Sequence, residues 1–332
     1  WTAVSMPGKR PATRYGSEPV EGYRPTWIEY AIDAPGRQID MIITFLGTAA
    51  ANAFPEAFCS CRNCDRARAL GGPSLRKRSA ALINDDLLID LGPDIMTASS
   101  MHGRSLAGVR YCLQTHAHAD HLDVSHFLSR SPEFGVVGAP RLHFYGSPAT
   151  VQRAARTFER DLDTASLLDP QVGERLNLEI HQIEALQSFA VGPYRVTALP
   201  ANHDPQVEPL LYAVEADGRS IFYGTDTATL PEETWRAFHR HKLRFDVVIL
   251  DHTYGPNEQG SDHLSARQLI EHVARMGEEG LLADNARAFA THIAHEGNPA
   301  HPELADFAAR HGYEIAYDGL TVHQVKLEVD NE

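Results

Sequence analysis

Four side chains that can bind a metal ion stand within six consecutive residues of this sequence. They lie in residues 115–121, which read THAHADH. Imidazole and carboxylate groups are suitable ligands for zinc, manganese or iron. In an extended backbone His116 and His118 point to the same side, because their spacing is two, and Asp120 and His121 can then turn toward a second position. The segment therefore predicts a metal centre rather than a cluster of surface histidines.

A second group of metal-binding side chains is formed by three of the four cysteines. Cys59, Cys61 and Cys64 follow the pattern Cys-x-Cys-x-x-Cys, whereas Cys112 stands alone. Four cysteines in 332 residues are too few for a scaffold held by disulfides. The spacing therefore favours a second metal site over a disulfide.

The overall composition is that of a soluble globular protein, with 43% apolar and 22% charged residues. The chain has 30 Lys and Arg against 44 Asp and Glu, a formal net charge of −14. This acidity argues against a protein that coats nucleic acid, although a single basic patch would escape the argument. No apolar stretch reaches the roughly 18 residues of a membrane span. Residues 1–14 lack the apolar centre of a secretory signal, so a cytoplasmic location is expected.

The hydrophobic pattern predicts mainly strands as the elements that position these ligands. Short apolar, β-branched runs predict strands, and one of them leads directly into the His-rich segment. These runs are residues 27–32, 41–48, 80–83, 87–89, 109–114, 141–145, 194–199, 211–215, 220–223 and 247–250. Helical patterns occur at 148–161, 231–241, 265–276 and 302–311. The pair Asp217-Gly218 between two strands predicts a hairpin.

Residues 1–40 differ from the rest of the chain. They contain five Pro and four Gly and show no sustained hydrophobic period. We expect an N-terminal arm or extension over residues 1–40 and a single domain over residues 41–332.

The pattern His-x-His-x-Asp-His resembles the signature of the metallo-β-lactamase superfamily, and the resemblance extends over most of residues 41–325. Further matches follow predicted strands or late segments in the family's order. They are Asp90 in IDLG, His203 in PANH, Asp226 in GTDT and His292 in ATHIAH. The resemblance implies an α/β fold of the α+β kind, the four-layer αββα metallo-β-lactamase sandwich. Two mixed sheets would pack face to face, with helices outside and metal ions at one sheet edge.

The resemblance also implies a dinuclear centre in a hydrolase domain. It assigns one ion to His116, His118, His203 and Asp226, and the other ion to Asp120, His121, Asp226 and His292. Asp226 would bridge the ions, and Asp90 would orient the His-rich loop from behind. Asp120 and Asp226 would also be catalytic, because a hydroxide that bridges two metals is the attacking group in such centres.

The loop over residues 47–58, together with the three cysteines after it, resembles the PhnP-like cyclic phosphodiesterases within this superfamily. That resemblance implies a structural zinc bound by Cys59, Cys61, Cys64 and His295. A tetrahedral zinc needs four such ligands.

Two further features resemble the same branch. His263, in the segment SDHLS, is implied to be a general acid that protonates the leaving oxygen, and His252 competes for this role. The basic cluster at residues 76–78 could bind a substrate phosphate through Arg76 and Arg78. A solvated group of charges is the other interpretation of that cluster.

The resulting hypothesis is a dinuclear metal-dependent phosphodiesterase acting on a small cyclic phosphodiester, such as a phosphoribosyl cyclic phosphate. It would hold two divalent ions, manganese, zinc or iron, in the active site and one structural zinc. Its partner would be a small anionic substrate and not a membrane, the acidity disfavours nucleic acid, and a homodimer is left open.

Three other functions stay open at this point. Residues 49–55 also resemble PqqB, which would indicate a non-hydrolytic carrier or cofactor-biosynthesis protein. A tRNase Z-like nuclease is weakened by the net charge of −14. Hydrolysis of a lactone or thioester would use the same metals. An acidic, helical-looking stretch over residues 157–174 departs from the family pattern and could reshape the pocket or build an interface.

Overall fold

The strands of this protein form two sheets. The structure is a computed structural model that describes residues 41–162, 165–256 and 261–323. The strands of the first sheet within these residues are β1 (Ile42–Gly47), β2 (Ala80–Ile83), β3 (Leu87–Ile89), β4 (Tyr111–Leu113), β5 (Leu142–Gly146), β6 (Leu178–Gln182) and β14 (Thr321–His323). The strands of the second sheet are β7 (Ser188–Val191), β8 (Tyr194–Pro200), β9 (Leu210–Ala216), β10 (Arg219–Gly224), β11 (Phe245–Asp251), β12 (Leu282–Thr291) and β13 (Glu314–Ile315).

Both sheets combine antiparallel and parallel pairing. The order in the first sheet is β14-β1-β2-β3-β4-β5-β6, and the pairs from β3 to β6 are parallel. The order in the second sheet is β13-β12-β11-β10-β9-β8-β7, and the pairs from β10 to β13 are parallel. Parallel neighbours end at the same edge of a sheet. Asp90 follows the end of β3, and the segment 115–121 follows the end of β4. In the second sheet, Asp226 follows β10 and His292 follows β12.

Successive side chains of a strand point to opposite faces of its sheet, so the buried side chains form one core between the sheets and two outer cores beneath the helices. In β2, Ala81 and Ile83 belong to the core between the sheets, whereas Leu82 belongs to an outer core. In β10, Tyr223 belongs to the inner core and Phe222 to the other outer core. A strand with both faces buried is therefore apolar throughout, which is why these strands were recognisable from sequence.

Helices cover both outer faces. Those over the first sheet are α2 (Ile95–Met101), α3 (Ser125–Ser129), α4 (Pro148–Leu162) and α5 (Pro170–Leu176). Those over the second sheet are α1 (Arg62–Leu70), α6 (Glu232–Arg240), α7 (Ala266–Glu278) and α8 (His301–Ala309). The sequence of layers is thus helices, sheet, sheet and helices, and the predicted αββα sandwich is confirmed. In the described parts of the chain, every helix falls short of the length and hydropathy that a bilayer crossing requires.

Most predicted elements agree with the structure. Strands β2 and β3 match residue for residue, and the four predicted helices match α4, α6, α7 and α8 within two residues at each end. The hairpin is also confirmed, because Ala216 pairs with Arg219, and Asp217 and Gly218 have φ of +46° and +76°. The predicted strand at 27–32 and the arm at 1–40 lie outside the described residues, so the division into arm and domain stays a prediction.

Several elements were missed for a common reason. Strands β6, β7, β13 and β14 lie toward the ends of the sheets and carry exposed or half-buried polar residues, so they lack a continuous apolar run. The first half of β12 includes exposed Asp284 and Asn285. The stretch over residues 157–174 spans the end of α4 and the start of α5, and its Phe158, Leu167 and Val172 pack on the first sheet.

Candidate metal centre

The segment after β4 and the loop after β8 bring together three histidines. The ring nitrogens of His116, His118 and His203 that face one another lie within 4.8 Å. His118 Nδ1 is 2.9 Å from His116 Nε2 and 3.3 Å from His203 Nε2. The three nitrogens therefore converge on one position, as sequence analysis expected for the first ion.

Beside them lies a second group, formed by Asp120, His121, Asp226 and His292, whose donor atoms also lie within 4.8 Å of one another. His121 Nε2 is 3.1 Å from Asp120 Oδ2 and 3.2 Å from Asp226 Oδ2. His292 Nε2 is 3.1 Å from Asp226 Oδ1. These four residues are the set expected for the second ion.

Asp226 connects the two groups. Its Oδ2 lies 3.7 Å from His116 Nε2 in the first group, and its two oxygens contact His121 and His292 in the second. Asp226 is 3% exposed and lies two residues after the end of β10. Its position between the groups fits a carboxylate that is shared by two ions.

Each of the five histidines has its other ring nitrogen held by a hydrogen-bond partner. The partners are Thr115 Oγ1 for His116, Asp204 Oδ2 for His118, Asp90 Oδ2 for His121, the Asp262 carbonyl for His203 and Thr253 Oγ1 for His292. Thr115 and Thr253 donate their own hydroxyl protons to Asp90 and Asp251, so the imidazoles must donate to them. In His116 and His292 the nitrogen that faces the centre is then the unprotonated one, which is the form that binds a metal.

Two buried nitrogens provide a test of whether metal ions fit. His121 Nε2 and His292 Nε2 are buried, and although carboxylate oxygens lie 3.1 to 3.2 Å away, neither nitrogen makes a hydrogen bond to a described residue. Buried polar atoms are normally satisfied, so atoms left without a partner need another explanation. Lone pairs aimed at a common cation supply it, and the residues present therefore fit divalent metal ions.

The charges around the centre lead to the same conclusion. Burial disfavours a charged imidazole, yet Asp226, Asp120 and Asp90 raise the pKa of His121 well above its usual range. Burial likewise opposes ionisation of Asp226, but His121 and His292 hold its pKa well below the ordinary value. The centre is thus a region of dense negative charge that a cation would neutralise.

His263 lies at the wall of this centre. Its Nδ1 is 2.7 Å from Asp251 Oδ2, and its ring lies 5.0 Å from that of His292 and 4.9 Å from that of His203. Burial lowers its pKa, but Asp251 outweighs this effect and raises the pKa to about 9. His252, the competing residue, is fully buried, and both of its ring nitrogens are bonded, to Asn298 and Tyr313. His252 is therefore not available for proton transfer.

The three cysteines form a separate cluster with His295. Their sulfur atoms and a nitrogen of His295 lie within 4.8 Å of one another, and His295 Nδ1 is 3.7 Å from Cys59 Sγ and 3.6 Å from Cys61 Sγ. Cys61 caps α1 by accepting from the backbone N–H of Cys64. Although burial opposes it, this bond and the contact with His295 lower the pKa of Cys61 to about 6. All three cysteines are free, and the donor set suits a tetrahedral zinc.

The expectation that Arg76 binds a substrate phosphate is wrong. Arg76 is 3% exposed, and its terminal nitrogens donate to Thr48, to the Ala316 carbonyl and toward His301. Its charge is therefore used inside the fold.

Arg78 differs from Arg76 because it is partly exposed. It donates through Nε and Nη2 to the two oxygens of Asp94, at 2.8 and 2.9 Å. It also lines a cavity of about 360 Å³ beside Ala117 and Ala119 of the His-rich loop. Arg78 thus remains a candidate for contact with a ligand.

Sequence analysis missed the residues that hold the ligands in place. These residues are Gln114, Thr115, Asp204, Asp251 and Thr253. Thr115 and Asp204 are sequence neighbours of His116 and His203, and Asp251 ends the predicted strand 247–250. These residues could have been predicted from their positions, either next to a candidate ligand or at the end of a strand.

Replacing Asp90 with Asn should lower the affinity for divalent metal about 10- to 100-fold, because Asp90 orients His121 and adds negative charge behind it. The measurement is metal content after equilibration at a fixed free zinc concentration. Asp246→Asn is a matched control, since the partners of Asp246 among the described residues are Arg219 and the Ser220 backbone, within the second sheet. Equal metal content in the two variants would contradict the role given to Asp90.

Comparisons with known proteins agree with this fold. The sequence model described as Beta-lactamase superfamily domain matches residues 86–293. Coenzyme PQQ synthesis protein B of Cupriavidus necator is 25% identical over 314 residues, 84% of this chain and 98% of that protein. Ribonuclease Z of Mycobacterium marinum is 25% identical over 221 residues, 62% and 76% of the two chains. A solved diphosphatase of the PhnP family has a TM-score of 0.64 at 20% identity, covering 86% and 98%. The chain belongs to the β-lactamase superfamily and has the fold of its metal-dependent hydrolases.

Proposed function

We propose that this protein is a metal-dependent phosphodiesterase for a small anionic phosphodiester, with a phosphoribosyl cyclic phosphate as the most specific candidate. The observation that carries the proposal is the placement of His263. This side chain lies beside His203 and His292, one from each ligand group, and is fixed by Asp251. A phosphodiester with a sugar alkoxide as its leaving group needs a proton donor at such a position.

In this proposal the two groups that share Asp226 each hold a divalent cation, zinc or manganese. When bound, two such ions would neutralise the charge of the phosphodiester and make hydroxide available near neutral pH. Asp120 and Asp226 keep the ligand groups at their mutual distance, and Asp226 ties them together. Asp90 holds His121 in the orientation that binding requires.

His263 acts on the leaving oxygen. Asp251 accepts the Nδ1 proton of His263, and this bond fixes the ring and leaves Nε2 for proton transfer. The raised pKa of about 9 keeps the imidazole protonated at neutral pH. A protonated group that is 14% exposed can reach substrate while staying partly shielded from water.

Arg78 is assigned to the far, anionic end of the substrate. Asp94 uses its Nε and Nη2, so the orientation of the guanidinium is fixed while Nη1 stays available. Arg153 and Arg160 of α4 line the same cavity. Asp123 and Asp161 also line this cavity, and Arg160 pairs with Asp161, so contact with a small phosphorylated molecule is assigned to Arg78 and Arg153.

A second candidate function follows from the similarity to PQQ synthesis protein B, which covers 84% of this chain. In that case the same residues would hold metal without phosphodiester hydrolysis. The similarity to ribonuclease Z covers 62% of the chain, and the net charge of −14 weighs against a polyanionic substrate.

Protein reconstituted with manganese should hydrolyse bis(4-nitrophenyl) phosphate, and Asp226→Ala should lose that turnover. The loss should exceed about 100-fold, beyond the usual effect of an outer-shell partner, because Asp226 serves both groups. Release of nitrophenolate is the measurement, and Asp246→Asn is the control. A wild-type protein that holds two metals yet shows no turnover would overturn the phosphodiesterase proposal and favour the second candidate or lactone hydrolysis.

His263→Ala should lower turnover of an alkyl phosphodiester about 10²- to 10⁴-fold, the usual contribution of a general acid. Turnover of a nitrophenyl ester should fall far less, since nitrophenolate leaves without a proton. The two substrates, measured on one preparation, control for folding and metal content. Equal losses on both would rule out the general-acid role.

Cys61→Ser should remove one zinc per chain and lower the midpoint of thermal unfolding, since structural zinc sites stabilise folds directly. Zinc is measured by elemental analysis of purified protein. The matched control is Cys112→Ala, because Cys112 is buried in β4, away from the other cysteines. Unchanged zinc content in Cys61→Ser would refute the structural site.

A further inference from the structure

A third cluster of metal-binding side chains lies on the first sheet. His143 is in β5, and Glu179 and His181 are in β6, the last strand of that sheet. His143 pairs with Glu179, and His181 follows two residues later, so all three side chains share one face. They lie along the strands rather than at the carboxyl-end loops that form the candidate metal centre. The proposed phosphodiesterase makes no use of them.

The distances within this cluster match the dimensions of a metal site. His143 Nδ1 lies 3.1 Å from His181 Nε2 and 3.5 Å from Glu179 Oε2. His181 Nε2 lies 3.6 Å from Glu179 Oε1. A tetrahedral ion with bonds of about 2.0–2.1 Å separates its ligand atoms by about 3.3–3.4 Å. A single ion therefore fits between the three side chains with little movement.

The side chains are held in this arrangement by aromatic neighbours. The His181 ring stacks on Tyr145, with centroids 4.4 Å apart and planes at 12°. Tyr145 in turn stacks on Phe189 of β7. The ring planes of His143 and His181 are inclined by 23°. A site that is already ordered loses less entropy when an ion binds.

The surroundings leave the cluster open to an ion from solvent. Roughly a third of each imidazole and 45% of Glu179 are exposed. The neighbouring cation is Arg141, whose Nη1 lies 3.9 Å from Glu179 Oε2, but Arg141 contacts Glu174 more closely through Nη2. Among the described residues, the imidazole atoms that face the cluster have no hydrogen-bond partner outside it.

We propose that His143, Glu179 and His181 bind one zinc ion, in a site separate from both the candidate metal centre and the cysteine cluster. Two imidazoles and one carboxylate suit zinc, whereas magnesium and calcium prefer oxygen ligands alone. Three protein ligands leave a fourth position for water or a ligand from a partner. The ion would join the terminal strand β6 to β5 through their side chains.

The experiment is zinc content of the full chain after equilibrium dialysis against micromolar free zinc. Wild type should bind one zinc per chain more than His143→Ala, and Glu179→Gln, which keeps the shape of the side chain, should show the same loss. The control is His239→Ala, because His239 forms a surface pair with Glu279 but has no third metal-binding group beside it in the described parts of the chain. It should retain the wild-type zinc content.

Two further measurements decide the interpretation. Hydrolysis of a chromogenic phosphodiester should be the same in wild type and His143→Ala. The zinc-site proposal and the phosphodiesterase proposal are therefore tested independently, and either can be refuted without the other. Zinc-edge anomalous scattering from wild-type crystals should show a peak between His143 and His181. Equal zinc content in wild type and both variants, or no peak at this position, would overturn the proposal.

Discussion

The buried carboxylate of Asp90 is the constraint on which the candidate centre depends. Asp90 is fully buried, and a buried charge is tolerated only when it is paired and hydrogen-bonded. Gln114, the backbone and hydroxyl of Thr115 and the His121 ring all donate to it. Gln114 also donates to the carbonyls of His116 and His121. The hydrogen bonds that satisfy the Asp90 carboxylate therefore also fix both ends of the loop that carries four of the seven candidate ligands.

Hydrogen bonds from the surrounding fold also orient the other candidate ligands. Each imidazole gives one nitrogen to a partner in the fold and turns the other toward the centre, so the hydrogen bonds select the tautomer. The carboxylates of Asp90, Asp120 and Asp226 together raise the pKa of His121. Without a cation, a proton on His121 offsets part of this negative charge. Metal binding should therefore release protons, and its strength should fall as pH is lowered.

Sequence alone predicted the candidate ligands and one of their partners, Asp90, but not the other partners, for a physical reason. His116, His118, Asp120 and His121 stand in one short segment, and the remaining ligands follow strands or lie in recognisable short motifs. A partner such as Thr253 acquires its role only when separate loops meet, and nothing local marks it. Burial also depends on tertiary packing. Arg76 therefore looked like part of a basic surface until β1 and the C-terminal segment were placed around it.

The substrate must be selected by residues other than the candidate metal ligands. Proteins named for coenzyme PQQ synthesis and for ribonuclease Z are equally similar to this chain, at 25% identity, so sequence similarity does not decide between their functions. What is specific here is the arrangement around the centre. His263 stands beside both ligand groups, and α4 contributes Arg153 and Arg160 to the cavity that contains Arg78. A cavity of about 360 Å³ that is lined by these arginines and by Asp123 and Asp161 has room for a compact molecule, and the overall negative charge repels a long polyanion.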